Sequence, residues 1–389
     1  MPRLGVPRRA ATPDTGAPVT MLELFFDLVF VFTVTRLTIV VANTHGALGF
    51  LEAATILFVV WRMYDGYCWL SNNISPTATS TRLPMLLAMG AFLVLAIALP
   101  EAYGEDRWLF AWAYLGIVLM HAVSFLRSSL GGSGRAVLAI APVNLGAASL
   151  LFVAAALPAG VRWIAWLGAV GVYAASMLSQ PETRYSIPRV HFAERHRLLL
   201  IIALGESVIA VGASAEGHIS EVRYTIAVLL GMLLIALFWW VHFADEERTT
   251  EALLRVEGSD PNRLVYVALL AYSMSYLVLV AGLIPVAAGL HMVVLDPGQQ
   301  LTLLSASLLG VGTAIYLVGN ALHLWLLDLS IGWPLKVAAV LALVTVPIGR
   351  VVSGDAQVIM LSVILAAALA VSSMAASPAP WVATPTEGR

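Results

Sequence analysis

Residues 22–42 read LELFFDLVFVFTVTRLTIVVA, an apolar stretch that contains the charged residues Glu23, Asp27 and Arg36. A helix needs about 20 residues to cross the hydrocarbon core of a bilayer, and this stretch has that length. The chain is 60% hydrophobic and 11% charged, which leaves too little polar surface for a soluble protein. We therefore predict an all-α, polytopic transmembrane helix bundle. Hydropathy gives about twelve spans, at residues 22–42, 48–70, 83–100, 107–126, 136–157, 161–179, 198–217, 222–243, 264–290, 301–327, 334–352 and 356–376.

Basic residues are distributed unevenly between alternate loops. Of the 21 Lys and Arg residues, 15 lie in the two tails and the even-numbered loops, and only four lie in the odd-numbered loops. The positive-inside rule then predicts that both termini are cytoplasmic. The predicted organisation is a disordered cytoplasmic tail (1–20), a first six-helix half (21–180), a cytoplasmic connecting loop (181–197), a second six-helix half (198–376) and a cytoplasmic tail (377–389).

Short matches recur in the same order in both halves of the chain. Their offsets are 171 residues for Glu23 and Glu194, about 180 for segments 61–65 and 240–245, 184 for segments 92–99 and 276–283, and 202 for Tyr114 and Tyr316. Offsets that only grow are expected when loops lengthen after a duplication. Because six spans is an even number, the halves would share one orientation about an axis along the membrane normal. We predict a parallel six-plus-six repeat.

Charges inside the first two spans should have partners, because a charge at the bilayer centre costs about 2.5–3.5 kcal/mol. Folding spans 1 and 2 as an antiparallel hairpin about Thr44 places Arg36 eight residues before the fold point and Glu52 eight residues after it. The equal depth predicts an outer Arg36–Glu52 pair.

The same hairpin brings Glu23 and Asp27 to the depth of Arg62 and Asp65. We predict an inner cluster of these four residues, with Arg62 and Asp65 also neighbours on one helix face. Three carboxylates against one guanidinium leave surplus negative charge, which is expected to hold a proton or a cation. The alternative is that these groups form only structural interhelical pairs.

Glu206 lies near the middle of span 7, in the stretch LIIALGESVIAV at residues 200–211. Folding spans 7 and 8 about Gly217 brings no basic residue to its depth, and Ser207 adds a hydroxyl beside it. We predict Glu206, with Ser207, as a proton or cation site. A protonated structural glutamic acid that donates to a neighbouring carbonyl is the alternative.

His121 and His323 occupy corresponding places in the predicted repeat. Histidine titrates near neutral pH, so both are secondary candidates for carrying protons, together with Glu194. A buried, hydrogen-bonded histidine is the alternative for each.

Composition and motifs disfavour several other functions. The net charge of −2 argues against nucleic acid as a partner, and Cys68 alone forms no internal disulfide. The sequence contains no nucleophile elbow, phosphate-binding glycine loop or paired-cysteine metal site, so we expect no enzyme activity, no cofactor and no metal. The expected partners are the lipid bilayer and a small ion or solute. The sequence does not define the oligomeric state.

Two motifs contain the charges singled out above: ELFFDLVFVF at residues 23–32, and HFAER at 191–195 followed by IALGESVIAV at 202–211. Together they resemble the bacterial low-temperature-requirement A (LtrA) family, over about residues 18–376. The resemblance implies a multi-spanning protein of the bacterial plasma membrane, in a family named for a growth phenotype in the cold. It implies no substrate, reaction or site residue.

Two functions remain open from the sequence. The first is a transporter in which Glu206, assisted by the inner cluster, exchanges a proton or a cation during alternating access. The second is a non-transporting membrane organiser that supports membrane function or growth in the cold, whose buried charges serve only helix packing.

Overall fold

A computed structural model describes residues 19–44, 46–73, 79–128, 134–178, 189–255 and 267–375 of the protein. All regular elements in these ranges are helices. They are α1 (Met21–Asn43), α2 (Ala47–Asn73), α3 (Thr79–Ala98), α4 (Arg107–Ser128), α5 (Gly134–Ala156), α6 (Arg162–Leu178), α7 (Arg189–Ser214), α8 (Val222–Phe243), α9 (Glu246–Arg255), α10 (Ser275–Leu295), α11 (Leu303–Leu326), α12 (Trp333–Val344), α13 (Val346–Val351) and α14 (Gly354–Ala375). A 3₁₀ turn (Leu99–Glu101) extends α3, and a π-helical turn (Ala268–Met274) precedes α10.

Each predicted span contains a helix, but the match is incomplete. Helix α7 begins before its predicted start at residue 198, the span predicted at 334–352 is divided into α12 and α13, and α9 lies in no predicted span. Residues 189–197, predicted as part of a cytoplasmic loop, are the first turns of α7. Within the described ranges, nine helical segments are long and apolar enough to cross a membrane. The chain is therefore a multi-pass membrane protein. The predicted C-terminal tail lies outside the described residues, and so does the predicted N-terminal tail apart from residues 19 and 20.

Local sequence explains where several helices begin, end and bend. Helix α1 begins with a capping box, in which Thr20 and Glu23 satisfy each other's backbone N–H groups. Gly46 adopts a positive φ of 89° in the turn before α2. Pro142 and Pro285 lie inside α5 and α10, where each removes one helix hydrogen bond.

The middle of the bundle is built from α1, α7 and α10. Helix α1 packs against α2, α3, α7 and α10, while α7 packs against α1, α8 and α10. Helices α10 and α11 approach so closely that a Cβ added at Gly282 would lie 2.4 Å from the backbone nitrogen of Tyr316. Small residues permit such close contact between membrane helices.

Helices α1 and α7 run side by side in the same direction. Asp27 near the start of α1 contacts Arg195 near the start of α7, while Thr38 and Ser214 near their ends line one cavity. Polar groups therefore gather at two levels of this helix pair. Between the levels lie the buried apolar side chains of Phe30 and Leu200.

Candidate functional site

A fully buried arginine on α7 is the centre of the first polar level. The side chain of Arg195 is 0% exposed, and its Nε and Nη2 donate to Oδ1 of Asp27 at 3.2 and 2.9 Å. Tyr64 on α2 donates to the same oxygen at 2.9 Å, and Arg195 Nη1 donates to Ser71 on α2. The guanidinium also lies over the ring of Phe26, 5.7 Å from its centroid. One cation thus joins α1, α2 and α7.

Glu23 lies one helical turn before Asp27 and faces the same arginine. Its Oε2 accepts from the Thr20 backbone N–H at 2.9 Å and lies 3.3 Å from Nε2 of His191. Its Oε1 lies 3.6 Å from Nη1 of Arg195 and accepts no hydrogen bond. Glu23 therefore caps α1 and, with Asp27, surrounds Arg195 with negative charge.

Arg62 and Asp65 form the third part of this level, on α2. Arg62 Nη1 donates to Asp65 Oδ2 at 2.8 Å, and the other carboxylate oxygen of Asp65 lies 3.9 Å from Nε2 of His196. Asp65 Oδ1 and His196 Nε2 are both buried without a hydrogen bond. Asp65 therefore links α2 to α7 through a contact too long for direct hydrogen bonding.

The structure corrects the predicted composition of the inner cluster. Arg62 pairs with Asp65, but Glu23 and Asp27 take their counter-charge from Arg195. The sequence analysis missed Arg195 because its position before the apolar part of span 7 assigned it to a loop. The excess of predicted carboxylates over cations was the signal that another cation was needed. With two guanidiniums against three carboxylates, one unit of surplus negative charge remains.

The predicted outer pair is wrong, because Arg36 and Glu52 form no ion pair in the described structure. The Nε of Arg36 is buried without a hydrogen bond, and Glu52 lies within electrostatic range of Arg162 at the start of α6. Equal depth is insufficient for pairing, because both side chains must also face the shared interface. At about 100° per residue, Arg36 points away from Asp27, which faces α2 and α7.

Glu206 and Ser207 line a cavity of about 360 Å³ between α1, α7 and α10. Twelve of the lining residues are aliphatic, and the polar lining residues are Thr35, Thr38, Asn43, Glu206, Ser207, Ser214 and His291. Glu206 is half-buried, and nothing in the described part of the chain donates a hydrogen bond to its carboxylate or pairs with it. Thr35 and Glu206, which are 171 residues apart, occupy comparable positions on the two parallel helices.

The cavity hydroxyls use their protons within their own helices. Thr35, Thr38 and Ser207 each donate to the backbone carbonyl four residues earlier, at 3.3, 3.1 and 3.2 Å. Each hydroxyl oxygen keeps lone pairs that can accept a hydrogen bond. At the far end of the cavity, Ser214 Oγ lies 2.6 Å from Nδ1 of His291. The inner part of the cavity therefore offers acceptors.

His323 belongs to a second buried polar group, which the sequence analysis found only in part. Its Nδ1 donates to the carbonyl of Ala271 at 2.6 Å, in the π-helical turn. Its ring lies 5.4 Å from that of His242, whose two nitrogens bond Asn320 and Tyr276 at 3.0 and 2.9 Å. The hydrogen bonds hold both rings in fixed orientations.

The other secondary candidates lie apart from both sites. His121 is buried against Gly66 of α2, where an added Cβ would lie 3.1 Å from its Nε2. Glu194 is half-buried on α7 and is not among the ion-paired residues of the described chain. Within the described residues, no group of three or more His, Cys, Asp or Glu side chains is placed to hold a metal ion.

Comparison with known proteins assigns the chain to a family. Residues 18–372 match the family described as Bacterial low temperature requirement A protein (LtrA). A similar protein from Rhizobium meliloti (strain 1021), described as uncharacterized, is 25% identical over 299 residues, which are 72% of this chain and 70% of that protein. The family match covers both motifs quoted above and all but the last three residues of the described helix bundle. This chain therefore belongs to the bacterial low temperature requirement A family.

Proposed function

We propose that this protein is a transporter of the bacterial plasma membrane, coupled to a proton or a cation, in which Glu206 is the exchanging carboxylate. The observation behind the proposal is the cavity of about 360 Å³ in which Glu206 has no partner among the described residues. Ionisable groups within membrane spans are costly and typically face ion or substrate pathways. A carboxylate used only for helix packing would be expected to have a donor.

A parallel repeat of six plus six spans supports alternating access. Helix contacts in the first half have counterparts in the second half. The contact of α1 with α3 corresponds to that of α7 with α10, and the contact of α3 with α4 corresponds to that of α10 with α11. Likewise, the contact of α4 with α5 corresponds to that of α11 with α12, and the contact of α2 with α6 corresponds to that of α8 with α14. Tyr114 donates to the carbonyl of Val59 at 3.3 Å, and Tyr316 donates to the carbonyl of Phe238 at 2.9 Å. The paired tyrosines are those that the sequence offset of 202 had aligned.

In this proposal, the two polar levels of α1 and α7 have different roles. The cavity separates α1 from α7 in the part of the pair that follows Phe30. The Asp27–Arg195 ion pair holds the two helices together near their starts. The distribution of basic residues places the closed end at the cytoplasm and both termini on that side, with twelve spans in total. Separation of Asp27 from Arg195 would then accompany opening toward the cytoplasm.

The test is ion flux into liposomes that contain the full-length protein. We expect a flux of protons or of a monovalent cation in the wild type and its loss in Glu206→Gln, because the amide cannot exchange a proton or balance a cation. The matched control is Glu216→Gln, which makes the same change at an exposed residue just beyond α7. The control should retain wild-type flux.

The outcome separates the transporter from the membrane organiser. Flux that persists unchanged in Glu206→Gln would remove the residue from the mechanism. Absence of proton, Na⁺ and K⁺ flux in the wild type, combined with normal cold growth of a strain carrying Glu206→Gln, would favour the organiser. Correct folding of each variant is checked by its thermal unfolding in detergent.

A further inference from the structure

We infer that the cavity beside Glu206 binds an organic monocation with a hydrogen-bond-donating ammonium group and an apolar body. The inference rests on the proposed function, because it names the chemical class of the cation that Glu206 exchanges. It depends on three features of the cavity: its aliphatic walls, its acceptors and its lone carboxylate.

The walls of the cavity select for an apolar body. Most lining side chains are aliphatic, including Ile209, Leu283, Ile284 and Met292, and none of those that line it is Phe, Tyr or Trp. The volume of about 360 Å³ is at the lower end of the range typical of small-molecule sites. A small hydrated inorganic ion would leave these walls in contact with water, whereas an organic body would bury them.

The polar groups select for a donor. The hydroxyls of Thr35, Thr38 and Ser207 already donate to helix carbonyls, so their oxygens offer lone pairs. Glu206 adds the two oxygens of its carboxylate. An ammonium with N–H donors satisfies such a set, whereas an anion or an acceptor-only ligand would leave buried acceptors unpaired.

Within the described ranges, no basic side chain forms an ion pair with the carboxylate of Glu206 in the cavity. Arg36 adjoins Thr35 in sequence but is not among the residues that line the cavity, and no ion pair joins it to Glu206. A bound cation would supply the missing positive charge.

Exchange at Glu206 conserves charge. When the ammonium binds, the carboxyl O–H bond breaks, the proton leaves to water, and the carboxylate pairs with the ligand. One proton therefore departs for each cation bound, and the occupied and empty cavities have equal net charge.

The inference is tested by calorimetric titration of the full-length protein in lipid nanodiscs with 2-phenylethylammonium. The matched ligands are 2-phenylethanol, which lacks the charge, and 3-phenylpropanoate, which reverses it. We expect saturable binding of the ammonium with release of a proton, and much weaker binding of both controls. Glu206→Gln should weaken ammonium binding at least about tenfold, and Glu216→Gln should leave it unchanged.

A second variant protects the test against misfolding of Glu206→Gln. Ala213 lines the cavity and is exposed, so Ala213→Phe fills space while keeping the carboxylate. It should also weaken binding. Equal binding of the alcohol and the ammonium, or undiminished affinity in both variants, would overturn the inference.

Failure of the inference differs from failure of the proposed function. If proton or Na⁺ flux depends on Glu206 but the ammonium does not bind, the ligand class is wrong and transport stands. If the ammonium binds through Glu206 but the liposomes show no flux of protons, of inorganic cations or of the ammonium itself, the ligand class stands and transport is wrong.

Discussion

Removal of the Arg195 guanidinium should destabilise the protein strongly. In Arg195→Met, a side chain of similar length remains, but Asp27 loses two hydrogen bonds and the one counter-charge that contacts it within the described residues. Asp27 is 0% exposed, so water cannot replace what is lost. Breaking one side of a buried ion pair typically costs about 3–5 kcal/mol, and we expect a loss in this range.

The assay is equilibrium unfolding of the purified protein in mixed detergent micelles, followed by tryptophan fluorescence. Arg223→Met is the matched control, because Arg223 and Glu221 form a pair at 3.0 Å in which both side chains are about half exposed. Exposed pairs contribute about 0–1 kcal/mol, so the control should remain near wild type.

A double-mutant cycle separates the ion pair from the packing of Arg195. Asp27→Asn alone leaves Arg195 with the more distant Glu23, at 3.6 Å. Combined with Arg195→Met, it removes both buried charges, so the double variant should be more stable than the sum of the two losses predicts. The coupling free energy should exceed about 1 kcal/mol, within the usual range for contacting residues. Additive losses, or a loss below about 1 kcal/mol for Arg195→Met, would refute the assignment of Arg195 as the counter-charge of Asp27.

Two further predictions follow from the geometry. Arg36→Glu should not be rescued by Glu52→Arg, since the two side chains form no ion pair. Thermal unfolding of the single and double variants should therefore show that their losses of stability are additive. Gly282→Ala should destabilise the protein by about 1–3 kcal/mol, as overpacking does, because the new methyl group would meet the backbone of α11. The control Gly90→Ala places a methyl in open space and should be neutral or stabilising in the same unfolding assay, so equal effects of the two glycine variants would contradict the close helix contact.

The helical class and most of the helix positions were predictable from the sequence. Apolar stretches of bilayer length must form helices, because hydrocarbon offers no partners to free backbone groups. The family resemblance, carried by the motifs around Asp27 and Glu206, was confirmed over residues 18–372. The pair of Arg62 and Asp65 was also predictable, since residues three apart share one helix face.

Partners between distant helices were not predictable in the same way. The depth of a charge follows from its place in a span, and on that basis Arg36 and Glu52 appeared to be matched. The direction in which each side chain points depends on how each helix is rotated against its neighbours, which hydropathy does not specify. The same limit hid the hydrogen bond between His242 and Asn320, which joins α8 to α11.

The sequence by itself determined that this is a membrane-spanning helical chain with acids and bases inside its spans, because transfer into hydrocarbon depends on composition and length alone. Only the tertiary structure decided that Arg195 neutralises Asp27, and that Glu206 faces a cavity in which no described residue pairs with it. Contacts between α1 and α7 join residues 168 apart in the chain, and such contacts arise from the rotation and register of packed helices rather than from any local pattern.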